Sequence, residues 1–302
     1  MRFFSGRESW AFCAHAPDEL CGFHAELIEQ ALRPGERVQY LLYSPLREAD
    51  GVPFGIEGGS GSHALALTSD RVIISRDPHR LGSARTVRSV PFDDILVVEI
   101  GEALTLGWLV FRVAAAGRVA SEAIFFQSLG IDLFRTAVRL CRRPTAASAS
   151  LRIAEAEDWH RVLAPSPPYL RNALLRLLLV DERPDGVVHS TEQWREVPGR
   201  RELACVAPAG LYAFTRTGLI IVESERPPAP GTLVFAVNAT CVDHRIVRRV
   251  TVAPQSRDAA VAQIVVDLET PRVHHELRFT LEAGAAEGLA RAIEACSRSS
   301  AP

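Results

Sequence analysis

The sequence predicts an α+β, mostly β protein: two tandem seven-stranded barrels, each closed by a C-terminal helix and joined by a helical connector. Three observations carry that expectation. Short apolar segments of period two fill residues 38–126 and again 202–281, broken at brief intervals by Gly, Pro, Asp or Ser. Each series then ends in one helix-period stripe: Leu133, Phe134, Ala137, Val138 and Cys141 in the first, Leu289, Ala292, Ile293 and Cys296 in the second. The halves also echo each other. Thr68-Ser69-Asp70-Arg71-Val72-Ile73-Ile74 matches Thr215-Arg216-Thr217-Gly218-Leu219-Ile220-Ile221, and the run from Ala137 to Cys141 matches that from Ala292 to Cys296. Seven strands and one helix cannot bury their apolar faces as an open sheet with the helix on its edge. Two orthogonally packed sheets with the helix plugging one open end can.

In chain order, Ala16-Pro17-Asp18 opens a helical pattern through Leu20, Phe23, Leu27, Ile28, Ala31 and Leu32, and Pro34-Gly35 stops it. Alternation over 38–43 predicts the first strand, and the Gly-rich, acidic stretch 45–62 a long loop. Strands follow at 63–68 and 71–75 across the tight turn Ser69-Asp70, then at 86–91, 95–100, 105–114 and 121–126. The step from 86–91 to 95–100 turns at Phe92-Asp93-Asp94, and a punctuated loop spans 76–83. Residues 144–150 (PTAASAS) form a small-residue linker. Helices are expected at 151–163 and 168–180, with Pro168 in the first turn where its missing N–H is harmless. Leucines lie nearly all round the second, so it is expected to be buried, between the domains or against a partner. Strands return at 202–207, 211–215, 218–223, 232–237, 240–247, 262–268 and 273–281. The division is therefore 1–36 as an N-terminal segment and helix, 37–143 and 200–302 as the two domains, and 144–199 as linker and connector.

Length and composition agree: 302 residues with 47% hydrophobic and 23% charged suit about two globular domains. A net charge of −2 is too balanced for a chain that wraps nucleic acid by bulk charge. All 34 basic residues are Arg. Without Lys there is no P-loop lysine, no kinase-type β3 lysine and no Schiff-base chemistry. Arg2, Arg7, Glu8, Asp18 and Glu19 interrupt the first twenty residues, so no signal-peptide core is present there. The most apolar helical stretch, 173–180, contains Arg176 and falls short of the roughly 20 residues that cross a bilayer. Six scattered Cys in a chain able to build its own core read as reduced thiols in a cytoplasmic protein.

Three segments resemble the bacterial pleckstrin-homology-like (PH-like) family, close in shape to GRAM domains. They are Leu32-Arg33-Pro34-Gly35-Glu36 before the first strand, Leu67 to Ile74 at the second hairpin, and Val90-Pro91-Phe92-Asp93-Asp94-Ile95 at the strand–turn–strand step. They cover roughly residues 32–143. The second half keeps the Thr215 to Ile221 hairpin and the strand–helix order but lacks the Pro-Gly-Glu entry. The resemblance implies a binding or scaffolding module with no shared catalytic residues. Family members that grip inositol phosphates carry several Lys or Arg at the first hairpin loop. Here that loop has Arg47 alone against Glu48, Asp50 and Glu57, so that site is not expected.

Arg76, Arg80, Arg85 and Arg88 form a basic run suited to phosphate or carboxylate, against which stands a solvated face partly neutralised by Asp77. Arg245, Arg248 and Arg249 could extend it. Cys13, His15, Cys21 and His24 hold the atoms of a zinc site at a spacing that is not a standard knuckle; packing is the plainer reading. The loop Gly55 to Gly61 opens no helix and precedes no lysine, so it is a hairpin loop rather than a phosphate cradle. Adjacent His274 and His275 on a strand point to opposite faces. Phe3, Phe4 and Trp10, with Leu174 and Leu178 of the Leu-rich helix, are the candidate partner contacts. No cofactor and no catalytic residue is expected. The reading is a non-enzymatic scaffold or complex subunit that binds a protein partner or itself. The rivals are a peripheral binder of anionic ligands or membrane surface through the arginines, and a metal-dependent hydrolase at Cys13, His15, Cys21 and His24.

Overall fold

The computed structural model describes residues 10–47, 61–78, 84–142, 163–180, 182–196, 202–233, 235–254 and 260–299. Among the described residues about half (52%) are strand, with four α-helices, and the strand pairings are antiparallel. The chain divides into two units, residues 1–115 with 120–141, and residues 116–119 with 142–302.

In the first unit, β1 (Phe12–Ala14), β2 (Tyr40–Arg47), β3 (Gly61–Leu67), β4 (Arg71–Asp77) and β5 (Thr86–Pro91) form one sheet in that order. The helix α1 (His24–Ala31) lies between β1 and β2 in the chain. A 3-10 turn, Phe92–Asp94, leads to β6 (Ile95–Ala103), β7 (Leu106–Ala115) and β8 (Arg118–Gln127), and then to α2 (Ile131–Cys141). The expected alternation is lost in β3, buried at every position, because both faces of the sheet are covered. On one face Tyr43, Ala64, Ala66 and Ile73 pack with Leu20 and with Ile28 of α1. On the other, the Ser44 hydroxyl donates to the Phe125 carbonyl of β8 (2.8 Å) and the Tyr40 hydroxyl to the Leu133 carbonyl of α2 (3.0 Å). An eight-residue helix is too short to persist alone; α1 is held by what it covers. Below α2, Phe126 stacks on Phe134 at 3.7 Å and lies over Gly107, where a Cβ would come within 2.2 Å of the ring.

The second unit repeats this order. It contains α3 (Pro168–Leu175), β9 (Pro184–Ser190), a hairpin of β10 (Gln193–Glu196) and β11 (Leu203–Ala207), then β12 (Gly210–Thr215), β13 (Gly218–Ser224) and β14 (Ala236–Asp243). Strands pair as β9-β12-β13-β14. After another 3-10 turn, His244–Ile246, come β15 (Val247–Pro254), β16 (Val261–Glu269), β17 (His274–Glu282) and α4 (Ala283–Ser299). As α1 packs on β3, β4 and β5, so α3 packs on β12, β13 and β14.

Four expectations are corrected. None of the sheets closes into a barrel. Closure is needed when a sheet has one apolar face to hide, whereas here a short helix already covers the outer face of each four-strand meander. The Leu-rich segment is helical only to Leu175, shorter than expected; its Leu170, Ala173, Leu174 and Leu177 are buried, and the helix packs on the unit's own strands. The two strands expected at 232–237 and 240–247 are one strand, β14; the Asp243 carboxylate accepts the Arg245 N–H (2.8 Å) and turns the chain there. Finally β1, β9, β10 and β15 were not expected. Pro184 and Gly186 hide β9, yet Pro184 is its first residue, where a ladder N–H is dispensable. The helix expected at 151–163 lies, except for Leu163, outside the described residues.

Each unit is fastened by a buried ion pair just before the first strand of its meander. In the first, Glu36 is held by Arg71, whose Nε donates to Oε1 (2.8 Å) and whose Nη2 meets Oε2; both side chains are below one-tenth exposed. The same guanidinium donates to the Ala31 carbonyl at the end of α1 (2.9 Å) and to the Ser89 hydroxyl of β5 (2.6 Å). In the second, Glu182 is held by Arg142 (3.1 and 3.2 Å), by the Thr217 hydroxyl (2.6 Å) and by the Leu179 N–H (2.8 Å). Arg142 also donates to the Leu177 carbonyl beyond α3. The position equivalent to Arg71 in the hairpin is Gly218, at φ +150, where a Cβ would lie 1.9 Å from the Val242 carbonyl oxygen. No side chain fits there, so the arginine reaches the same locus from elsewhere in the chain.

Gly218→Ala is therefore expected to cost about 3 kcal/mol, from the disfavoured φ plus the backbone clash. Gly231→Ala, at φ +76 in open space, should cost about 1 kcal/mol. Urea denaturation of the two full-length variants compares them.

Candidate functional site

One set of polar groups in the first unit lies toward the end of its five-stranded sheet opposite the Glu36–Arg71 pair, at the close of β4 and the start of β5. His24, the first residue of α1, has both ring nitrogens engaged: Nδ1 with the Ser75 hydroxyl (2.7 Å) and Nε2 with the Ser62 hydroxyl (2.9 Å). Its ring also stands edge-on to Tyr43 at 5.7 Å. The serines tie the start of α1 to β3 and β4, and they leave His24 no lone pair for a metal. Cys13 and His15 are exposed on the far side of β1, and Cys21 packs against the apolar cluster under α1. The four zinc candidates thus go to separate places. Among the described residues no three His, Cys, Asp or Glu side chains gather as a metal site would require.

His63 faces the opposite side of the sheet, in register with Ser44 of β2 and Arg76 of β4. Burial, then the neighbouring Arg76 and His24, push its imidazole down to about 3, so it is neutral in the folded protein near neutral pH.

The described arginines of the run, Arg76, Arg85 and Arg88, do not form one cradle. Arg76 sits beside His63. Arg85, just before β5, donates from Nε to Asp77 (3.3 Å) and lies over the Phe23 ring at 3.2 Å. Arg88 pairs with Glu122 of β8. Arg80 lies outside the described residues. In the second unit Arg245 is taken by Asp243 and Arg248 by Glu269 (2.7 Å), while Arg249 stands in register with Asp267. Pairs this exposed contribute about 0–1 kcal/mol each. Their consequence is to neutralise the charge on which an anion site would depend.

The partner candidates differ in exposure. Trp10 is half exposed, Leu174 of α3 fully buried, and Leu178 half-buried. Phe3 and Phe4 lie outside the described residues. Sequence reasoning did not single out β5, the outer strand of its sheet. Thr86, Val87, Ser89 and Pro91 are exposed, and Val87 is an apolar side chain left 41% accessible. The Phe92 N–H donates to the Asp70 carbonyl (2.9 Å), which sets the ladder's parity. In an antiparallel pair alternate residues turn their backbone groups inward. Val90, Arg88 and Thr86 therefore bond to β4, whereas Val87 and Ser89 direct N–H and C=O outward. The signal for this was present in the alternation of Arg85 to Pro91, but exposure of an edge depends on strand order, which period does not reveal.

No described helix is long and apolar enough to cross a membrane. Comparison of the sequence with protein-family models and with curated proteins returned no match.

The Glu36 carboxyl is lowered to about 2, chiefly by the Arg71 hydrogen bonds. Its stabilisation is present above the unfolded value of about 4.5 and is lost as pH falls toward 2. His63, lowered from about 6.5, acts in a higher window: stability falls with pH from 6.5 toward 3, because only the unfolded chain takes up that proton. Urea midpoints against pH should therefore decline in two stages. Glu36→Gln should shrink the lower stage, the part due to Glu182, whose carboxyl Arg142 also holds down, remaining, and should leave the upper stage unchanged. Arg71→Met, which strands a buried carboxylate, should cost about 3–5 kcal/mol at pH 7, and adding Glu36→Leu should recover much of that loss.

Proposed function

We propose that the chain is a non-enzymatic binding module of PH-like kinship that acts in the cytoplasm as a scaffold or complex subunit, docking protein partners on its sheet edges. The observation that carries this reading is β5, an outer strand with exposed side chains and outward-facing backbone groups at Val87 and Ser89. An edge of that kind recognises an extended backbone, because a partner strand supplies what the ladder lacks. The kinship is supported by the order of elements: four antiparallel strands, a 3-10 turn, three more strands and a helix in both units, with the β10–β11 hairpin inserted after the first of these strands in the second. The rival of an anion binder has less behind it, since Arg85 and Arg88 each already face an acidic side chain.

Light scattering of the purified chain with proteins captured by cross-linking in its native host should give a complex heavier than 33.0 kDa. A chain that stays at its own mass and captures nothing would sink the proposal.

A further inference from the structure

We infer that the groove between β5 and the flank of α1 takes a short extended peptide segment of a partner, added antiparallel to β5, with apolar residues at alternate positions and a carboxylate at its C-terminal end. This rests on the binding-module reading above and names the partner's chemistry. Four features of the groove specify that occupant.

The backbone comes first. Val87 and Ser89 present donors and acceptors along the open edge, and Pro91, which has no N–H, with the 3-10 turn after it, ends the usable strand. That leaves about five residues, or roughly 17 Å of strand. A strand with its own unpaired groups is the complement. Direction follows from the sheet, in which every neighbour is antiparallel.

Side chains supply the second feature. Val87 lies on the α1 face of the sheet, since its register partner Ser75 contacts His24. Phe23, at the start of α1 and 44% exposed, is brought beside β5 by Arg85, which stacks on its ring. Leu27 follows one turn on along the same flank, bonded through its N–H to the Phe23 carbonyl. Side chains of an added strand alternate between faces, so every second residue would meet this apolar wall.

Charge is the third. The Arg85 guanidinium uses Nε on Asp77, its side chain is 45% exposed, and its two Nη groups have no partner among the described residues. Arg85 precedes β5, and the C-terminal end of an antiparallel segment lies at that end, so a carboxylate there meets the open fork. Last, the opposite edge of the sheet is already covered in part by β1 on β2.

The test uses the full-length chain and immobilised octapeptides alternating Val or Ile with Ser or Thr, ending either in Asp with a free carboxylate or in amidated Lys. Asp-ended peptides should bind about tenfold more tightly at low salt, a difference that one charge-assisted contact can supply. Arg85→Gln should erase that preference. Val87→Pro, which removes only an outward N–H at an edge, should abolish binding while the circular dichroism stays that of the parent. On binding, the Val87 and Ser89 amides should gain protection from exchange, while those of Arg88 and Val90 are protected throughout. Equal binding of Lys-ended peptides, unchanged binding by Val87→Pro, or no binding of either peptide would overturn the assignment. So would a self-associated mass that Val87→Pro abolishes, which gives the edge to a second copy. If the intact chain captures a partner and Val87→Pro captures it equally, the groove fails and the module reading survives. If neither captures one, both fail.

Discussion

The first unit depends on one buried ion pair. Glu36 and Arg71 are 35 residues apart, and between them lie β2, the β2–β3 connection and β3. Removing both charges from water costs several kcal/mol per ion, which attraction alone rarely restores. What makes the pair tolerable is saturation. The guanidinium reaches both carboxylate oxygens, the last carbonyl of α1 and the Ser89 hydroxyl, while the Arg33 N–H adds a further bond to the carboxylate (2.8 Å). An apolar pair of equal volume could match the stability. It could not hold a helix end, a loop, a hairpin and an edge strand in one register, because dispersion has no direction.

The second unit meets the same requirement with different residues. Its carboxylate again precedes the first strand of the meander, and its hairpin again turns on a threonine: Thr68 accepts the Arg71 N–H, and Thr215 accepts the Thr217 N–H. But the hairpin's own arginine position has become Gly218, whose backbone no side chain can share. The locus keeps its charge balance because Arg142 enters from the chain after α2, and Thr217 adds a hydroxyl that Asp70 could not. Two copies of one arrangement have thus kept the buried carboxylate and exchanged the source of its counter-charge. That is the pattern expected if the constraint lies on the burial of Glu, not on the identity of any one donor.

This explains which parts of the molecule were legible in the sequence. Strands β3 to β8 and helices α2 and α4 were readable, because turn chemistry at Ser69-Asp70 and Phe92-Asp94 and the apolar stripes are local signals. The motif Pro34-Gly35-Glu36 and Arg71 could be quoted as a resemblance, but not joined: a salt bridge across 35 residues has no period. Glu182 and Arg142 carried no signal at all, since a charge in a loop reads as solvent-facing until the fold closes over it. Barrel closure was inferred from a need to hide one apolar face. That inference failed at α1 and α3, short helices whose covering role is set by tertiary contacts. The zinc candidates failed for a related reason: spacing placed His24 near two cysteines, while the fold gave both its nitrogens to serines brought from β3 and β4.

Covering both faces of a sheet has a consequence for recognition. A sheet with one open face can bind through that face; the first sheet of this protein cannot, since α1 takes one side and β8 with α2 the other. Its open backbone edges lie at its rim. At β2 the short β1 already pairs with Leu41 to Tyr43. At β5 the charges beside the strand are balanced in part by Asp77 and Glu122, and Pro91 stops any long addition, devices that keep an edge from pairing indiscriminately. An edge guarded but not covered, with an apolar flank and one half-used guanidinium beside it, is selective by construction. It admits a strand that is short and carries negative charge where Arg85 stands, and offers little to any other.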